Sequence, residues 1–393
     1  MYRIMQVLPC EPDNREYGGP VTLIKELSAF LRAKGCQLTM LAPALRGGPS
    51  TGVLHREERA FEDVSVLIYP TWFRYRWSTV NPTAIPFCLL GLKGLDLVVI
   101  HCYRTFLGTL ASLGAAARGI PYVVVPHGSC HSGFRSRIKK AVYDAAFGHR
   151  LLRRSHRVIF NSRGEMNRGG SLVKRAQATI IPHGVSAPAS VEPLDLRLRY
   201  GFPAQGRILL TLGRINRTKN IPLLLEALRL LPAETCLLVV GPWEEEAHLK
   251  RLQQLALAGG IAGRVCFAGP VYGEEKFPLI RGADVLVSTS FVESFGMSIA
   301  EALAVGVPAV FPEAAGITEF VAGHPLAFPT QLQKEAVAAR IQEALRFGKP
   351  PLHDVPATGL EWSVVLERYW ELFREAIEER TEPTSPPRAG GRQ

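Results

Sequence analysis

What most constrains this chain is a rhythm that runs through it twice. Short apolar, β-branched runs alternate with amphipathic or glycine-rich stretches. In the first half the strand-like runs are residues 3–8, 37–42, 64–69, 95–101, 122–125, 157–161 and 179–181, with helical stretches at 21–34, 107–118 and 136–154. Strands of this kind, separated by helices, are buried on both faces and pair in parallel, which predicts a doubly wound α/β sheet. Residues 182–206, rich in Pro, Ala and charge, break the rhythm. It restarts with strands at 207–213, 235–240, 265–268, 283–290, 309–311 and 326–328 and helices at 221–230 and 244–258. Two Rossmann-like domains are expected, facing across a cleft: 1–185, a linker at 186–206, and 207–360, followed by a helix at 361–380 and a disordered tail at 381–393.

A length of 393 residues suits two domains of ordinary size. With 47% hydrophobic and 21% charged residues the chain has packed cores rather than disorder. Its seven cysteines show neither C-x-x-C pairs nor metal-ligand spacing, as in a reduced cytoplasmic protein. The start, MYRIMQVLPC, reads as a first strand and not as a signal peptide. The most apolar region, 84–102, is interrupted by Lys93, Gly94 and Asp96 and fails as a membrane span.

The formal charge of +11 calls for an anionic partner or a solubility reason. Residues 134–157 concentrate Arg135, Arg137, Lys139, Lys140, Arg150, Arg153, Arg154 and Arg157 against Asp144 alone. Apolar Ile138, Val142, Leu151 and Leu152 fall between them at helical spacing. A basic amphipathic helix suits an anionic membrane surface, with Arg137, Lys139, Lys140 and Arg153 facing it. A solvated helix packed by its apolar side is the plain alternative. No nucleic-acid module pattern appears, so no nucleic-acid partner is expected.

The densest chemistry lies in FVESFGMSIAEALAVGVPAV, which follows the apolar run 283–290. Glu293 and Glu301 lie about 80° apart around a helix. If the helix starts after Glu293, that carboxylate sits beside free N–H groups at the positive dipole end. Capping and an exposed helix face are the bland reading of the two acids. In GRINRTKN, Arg214 and Lys219 bracket a strand-to-helix turn, where paired cations would stabilise a departing diphosphate or are two ordinary solvated cations of a loop. Gly18 and Gly19, after the first strand, allow close backbone approach to a phosphate or sugar. His127 follows the strand 122–125, the end at which open α/β sheets bind ligands. There is no D-x-D triplet, so no metal is expected, and no G-x-G-x-x-G.

The run 290–310 resembles the donor-site segment of glycosyltransferase family 4, the retaining GT-B enzymes, which usually reads E-P-F-G-L-x-x-x-E-A-M-A-x-G-x-P-V-V. Ser294 stands for the usual Pro and Met297 for the usual Leu. GRINRTKN resembles the family's G-R-L-x-x-x-K element, PHG at 126–128 its P-H-G triplet, and IPHGV at 181–185 its P-N-G-V-D hinge, with His183 for Asn. Gly316 to Glu319 resembles its G-x-x-E, where Glu319 is given a supporting role.

The resemblance implies roles residue by residue. Gly18, Gly19, Arg214 and Lys219 hold the donor diphosphate. Glu293, Ser294, Phe295, Gly296 and Met297 hold the donor sugar, Glu301 the ribose, and Val271 the base. His127 and Glu293 position the reacting centre, and the last helix crosses back to the first domain. The implied protein is a metal-independent hexosyltransferase without a cofactor, taking a UDP-, GDP- or ADP-sugar. Its acceptor is a glycan or lipid-linked molecule, and its place the cytoplasm or the inner face of the cytoplasmic membrane. A GT-B isomerase or phosphorylase, or an inactive assembly partner, are the alternatives. Acceptor loops are sought at 46–59 and 72–77.

Overall fold

The structure, a computed structural model, describes residues 1–14, 18–44, 56–75, 78–130, 137–169, 173, 177–188 and 190–381. Most of the 46–59 loop, Trp77, Arg135 and all but the first residue of the 381–393 tail lie outside the described residues. The chain forms two compact units: residues 1–160, 166–181 and 366–393, and residues 161–165 and 182–365.

Unit one contains β1 (Arg3–Val7), α1 (Gly19–Ala33), β2 (Gln37–Pro43), β3 (Glu57–Phe61), β4 (Val64–Tyr69), a short hairpin β5 (Phe73–Tyr75) and β6 (Ser78–Val80), and α2 (Ile85–Leu90). There follow β7 (Leu97–His101), α3 (Phe106–Ala117), β8 (Tyr122–Val125), α4 (Arg137–Tyr143), α5 (His149–Arg154), β9 (Arg157–Phe160), α6 (Arg163–Gly169), which starts among unit-two residues, and β10 (Ala178–Ile180). Among the described residues the main sheet runs β10-β9-β8-β7-β1-β2-β4-β3, parallel except for the β3 edge. β7 is buried at every position, as both-face coverage requires. α1 covers one face through Leu23, Ile24, Leu27 and Leu31, a single apolar stripe. The order reverses between β1 and β7, so their carboxyl ends form the switch point where such sheets take ligands.

Unit two contains α7 (Leu196–Tyr200), β11 (Arg207–Leu212), α8 (Ile221–Leu228), β12 (Thr235–Val240), α9 (Glu246–Ala258), β13 (Val265–Phe267), α10 (Lys276–Gly282), β14 (Val285–Val287), α11 (Met297–Ala304), β15 (Ala309–Pro312), β16 (Ala327–Thr330) and α12 (Lys334–Phe347). Its sheet runs β13-β12-β11-β14-β15-β16, every pairing parallel, with the reversal between β11 and β14. α13 (Trp362–Thr381) begins among unit-two residues and from Leu366 on belongs to unit one. There Arg368 donates to the Ile180 carbonyl at 2.7 Å and Arg380 to that of Leu95 at 3.0 Å.

Three local outcomes differ from the sequence reading. Residues 186–206 contain α7 and send Val191, Leu196 and Phe202 into the core of unit two. The expected single helix at 136–154 is broken by a π-turn, Asp144–Gly148, which shifts the side-chain phase. Its cause is Asp144, drawn inward to the Tyr103 hydroxyl (2.8 Å) and to Arg104 (2.7 and 2.9 Å). The strand expected at 283–290 stops at Val287, because Thr289 turns its hydroxyl to the carbonyls of Lys219 and Asn220.

Candidate active site

In unit two the polar residues gather beyond the carboxyl ends of β11 and β14, at the switch point. The loop after β11 carries Arg214 and Lys219, and the loop after β14 carries Glu293. The two loops are fastened together, since Phe291 N–H donates to the Thr218 carbonyl at 2.9 Å. Lys219 Nζ then meets Glu293 Oε2 at 2.7 Å, with side chains 26% and 16% exposed. That exposure leaves the pair open to a ligand.

α11 begins at Met297, so Glu293 precedes its first turn, within which Ile299 N–H donates to the Gly296 carbonyl at 3.0 Å. Gly296 caps the helix at φ +116°, a conformation that side chains disfavour. Gly316 packs so closely that a β-carbon there would sit 2.0 Å from the Ser294 carbonyl oxygen. Ile317 N–H donates to the Phe295 carbonyl at 2.8 Å, and Gly316 N–H to that of Glu293 at 3.0 Å. The turn 293–296 is therefore held by backbone on its far side. Ser294 and Met297 are half-buried, and Phe295 is buried against His183 and Phe320. Phe295 thus supports the turn from the core, while its backbone remains in the loop.

Glu301, two turns further on, is 7% exposed and paired at 2.7 Å with Lys276 at the start of α10. Burial pushes its pKa up, and the Lys276 charge and hydrogen bond pull it back. Arg214 does not join Lys219 and Glu293: its guanidinium lies 3.6 Å from Glu244, and about half of it is exposed. Val271 is half-buried on the edge of the core. Glu319 binds the Arg163 backbone N–H at 2.6 Å and its guanidinium at 3.2 Å, a structural contact.

In unit one Gly18 caps α1, and Gly19 is its first residue. His127 follows β8 with φ +50°, and Cys102 and Arg104, just beyond β7, have φ +66° and +65°. Left-handed non-glycine residues gather where function holds them. Arg104 donates to the carbonyls of Ser129 and Cys130, pinning the turn that carries His127. The His127 ring stacks on His101 with centroids 5.4 Å apart, and its Nε2 lies 3.1 Å from His101 Nδ1. Sequence reasoning missed Lys276 and His101. Nothing in EEKF marks Lys276, but His101 ends a strand next to the one before His127, a signal that was available.

Two doubly wound units, each with polar side chains at the switch point of its sheet, make up the GT-B architecture. Residues 18–184 match the glycosyl transferase 4-like domain and residues 195–353 the glycosyl transferases group 1 description. The D-inositol 3-phosphate glycosyltransferase of Streptomyces scabiei is 32% identical over 368 residues, covering 84% of this chain and 79% of its own. That of Mycobacteroides abscessus is 28% identical over 241 residues, 58% of this chain, and only about half of its length, 54%, is spanned. The Anabaena protein Alr3699/HepE, solved with UDP and glucose, superposes with a TM-score of 0.71 over 95% of this chain and 100% of its own, at 18% identity. The chain belongs to the family 4-like, group 1 glycosyl transferases.

Proposed function

We propose that this chain is a retaining, metal-independent glycosyltransferase that moves a hexosyl group from a UDP-, GDP- or ADP-sugar to a glycan or lipid-linked acceptor. The observation that carries this is the Lys219–Glu293 contact at the switch point, beside the N-terminus of α11. Lys219, with Arg214 swinging from Glu244, would take the diphosphate, a role assigned also to Gly18 and Gly19. Glu293 would accept hydrogen bonds from sugar hydroxyls, with N–H groups from Gly296 and Met297 beside it. Glu301 would accept from the ribose, and His127 would position the sugar. The sugar–phosphate C–O bond breaks and the acceptor oxygen bonds to the same face of the sugar. The acceptor proton passes to the leaving phosphate oxygen. Charge on that phosphate grows in the transition state, where fixed cations act most strongly.

A panel of nucleotide sugars, with chelator present, tests this by product release and by NMR of the anomeric linkage. Retention of configuration with one preferred donor is expected; inversion, or loss of turnover restored by magnesium, would overturn it.

The acceptor reading rests on the basic helix. Ile138 and Val142 are 81% and 63% exposed, beside exposed Lys139, Arg150, Arg153 and Arg154. Apolar side chains left outward among cations suit an interfacial helix better than one packed by its apolar side. Lys140 is half-buried, and burial with the Arg104 charge lowers its pKa. Each outward cation contributes about 1 kcal/mol at an anionic surface. Reversing Arg137, Lys139, Lys140 and Arg153 to Glu should abolish sedimentation with anionic vesicles and spare donor hydrolysis. Both curated relatives are named for a phosphorylated inositol. Indifference of the wild-type protein to vesicles at low salt would point to a soluble acceptor of that kind.

A further inference from the structure

Beneath His127 runs a line of buried polar groups to which sugar transfer assigns no task. His101 Nε2 lies 2.9 Å from Gln6 Oε1, Gln6 Nε2 donates to Ser28 Oγ at 2.7 Å, and Ser28 Oγ donates to the Ile24 carbonyl at 2.6 Å. Gln6 and His101 are 0% exposed and Ser28 is 2% exposed. The donors and acceptors can be assigned from the far end. A hydroxyl has one proton, and Ser28 gives it to a carbonyl that can only accept, so toward Gln6 it must accept. Gln6 therefore turns its amide N–H to Ser28 and its oxygen to His101. His101 must carry its proton on Nε2. A charge on so buried a ring would be costly to desolvate, so Nδ1 keeps its lone pair. The partner facing that lone pair is His127 Nε2, which must donate.

We infer that Gln6, Ser28 and His101 are positioning residues that hold His127 as the Nε2–H tautomer. His127 is thereby fixed in ring orientation, and its Nε2 is closed to an incoming proton. The consequence for catalysis rests on the transferase reading: Nε2 of His127 does not take the acceptor proton. The tautomer itself does not depend on that reading.

Two-bond proton–nitrogen NMR of the 15N-histidine-labelled full chain, assigned with His127→Gln and His101→Gln, reads the ring nitrogens directly. Pyrrole-type Nε2 in both rings is expected. Gln6→Leu should populate the other tautomer at His127 and lower kcat about tenfold, one hydrogen bond's worth, while the donor KM stays put. Ser28→Ala, a milder change, should shift the same resonances should the Leu variant not fold. A pyridine-type Nε2 on wild-type His127, or tautomers indifferent to both variants, would overturn the inference. The expected tautomers in a protein that transfers no sugar would leave it standing and remove only the transferase reading.

Discussion

The Lys276–Glu301 pair allows a worked test of the proposed ribose site. The contact is 2.7 Å, with side chains 21% and 9% exposed. Unit charges about 4 Å apart attract by about 4 kcal/mol at an effective dielectric of about 20, and desolvation of both ions offsets much of that. Removing one partner is different, because Lys276→Met strands a buried carboxylate. Loss of a buried partner destabilises by about 3–5 kcal/mol, or Glu301 takes up a proton instead. Glu301→Gln strands Lys276 less severely, since its ammonium is nearer solvent. The double variant Lys276→Met/Glu301→Gln removes both charges and should recover most of the loss. Urea unfolding of the four proteins gives the coupling, expected at about 2–3 kcal/mol for residues in direct contact. Calorimetric titration with the nucleoside diphosphate should show weaker binding for Glu301→Gln and for the double variant alike. Additive stabilities would refute the pairing. Unchanged nucleotide affinity in Glu301→Gln would refute the ribose assignment.

Lys219→Ala should lower kcat/KM by about one to two decades, the loss of a charge-assisted contact of about 1.5–3 kcal/mol, while circular dichroism stays native. Arg214→Ala should fall in the same direction, since Arg214 must leave Glu244 to act; near-normal kcat/KM in both variants would remove the diphosphate assignment. Glu293→Gln should damage turnover more than nucleotide binding, the opposite of Glu301→Gln, and turnover measured beside titration separates them. Burial pushes His183 down to about 4 from an ordinary 6.5. The unfolded chain therefore binds the extra proton between those values, and stability rises with pH across that window by up to about 3 kcal/mol. His183→Asn should flatten the slope between pH 4 and 6.5; an unchanged slope in urea unfolding would place the titration elsewhere.

The architecture was legible because parallel strands buried on both faces leave unbroken apolar runs, as in 97–101 and 235–240. The turn before α11 was legible because a strand end, an acid and a glycine at a helix start lie within ten residues of sequence. Lys276 was not, because its pairing with Glu301 depends on how α10 packs beside α11, a tertiary fact with no local signature. The π-turn was hidden for a related reason. Asp144 reads as one acid on a basic helix, and only Tyr103 and Arg104, about forty residues earlier in sequence, turn it inward. His101 was overlooked because it reads as the last residue of an apolar strand, while its partner Gln6, and Ser28 that Gln6 bonds in turn, come from two other elements.

Lys219 and Glu293 neutralise one another across 2.7 Å. Any anion that takes Lys219 therefore competes with a carboxylate already in place. A bare phosphate that captures the ammonium leaves Glu293 without a partner. On the proposed assignment a sugar diphosphate would capture it and bring hydroxyls to the carboxylate in the same event. If Lys219 and Glu293 take the roles proposed above, the pair works as a two-key lock: diphosphate and sugar would have to arrive on one molecule, and simple anions would turn only half of it.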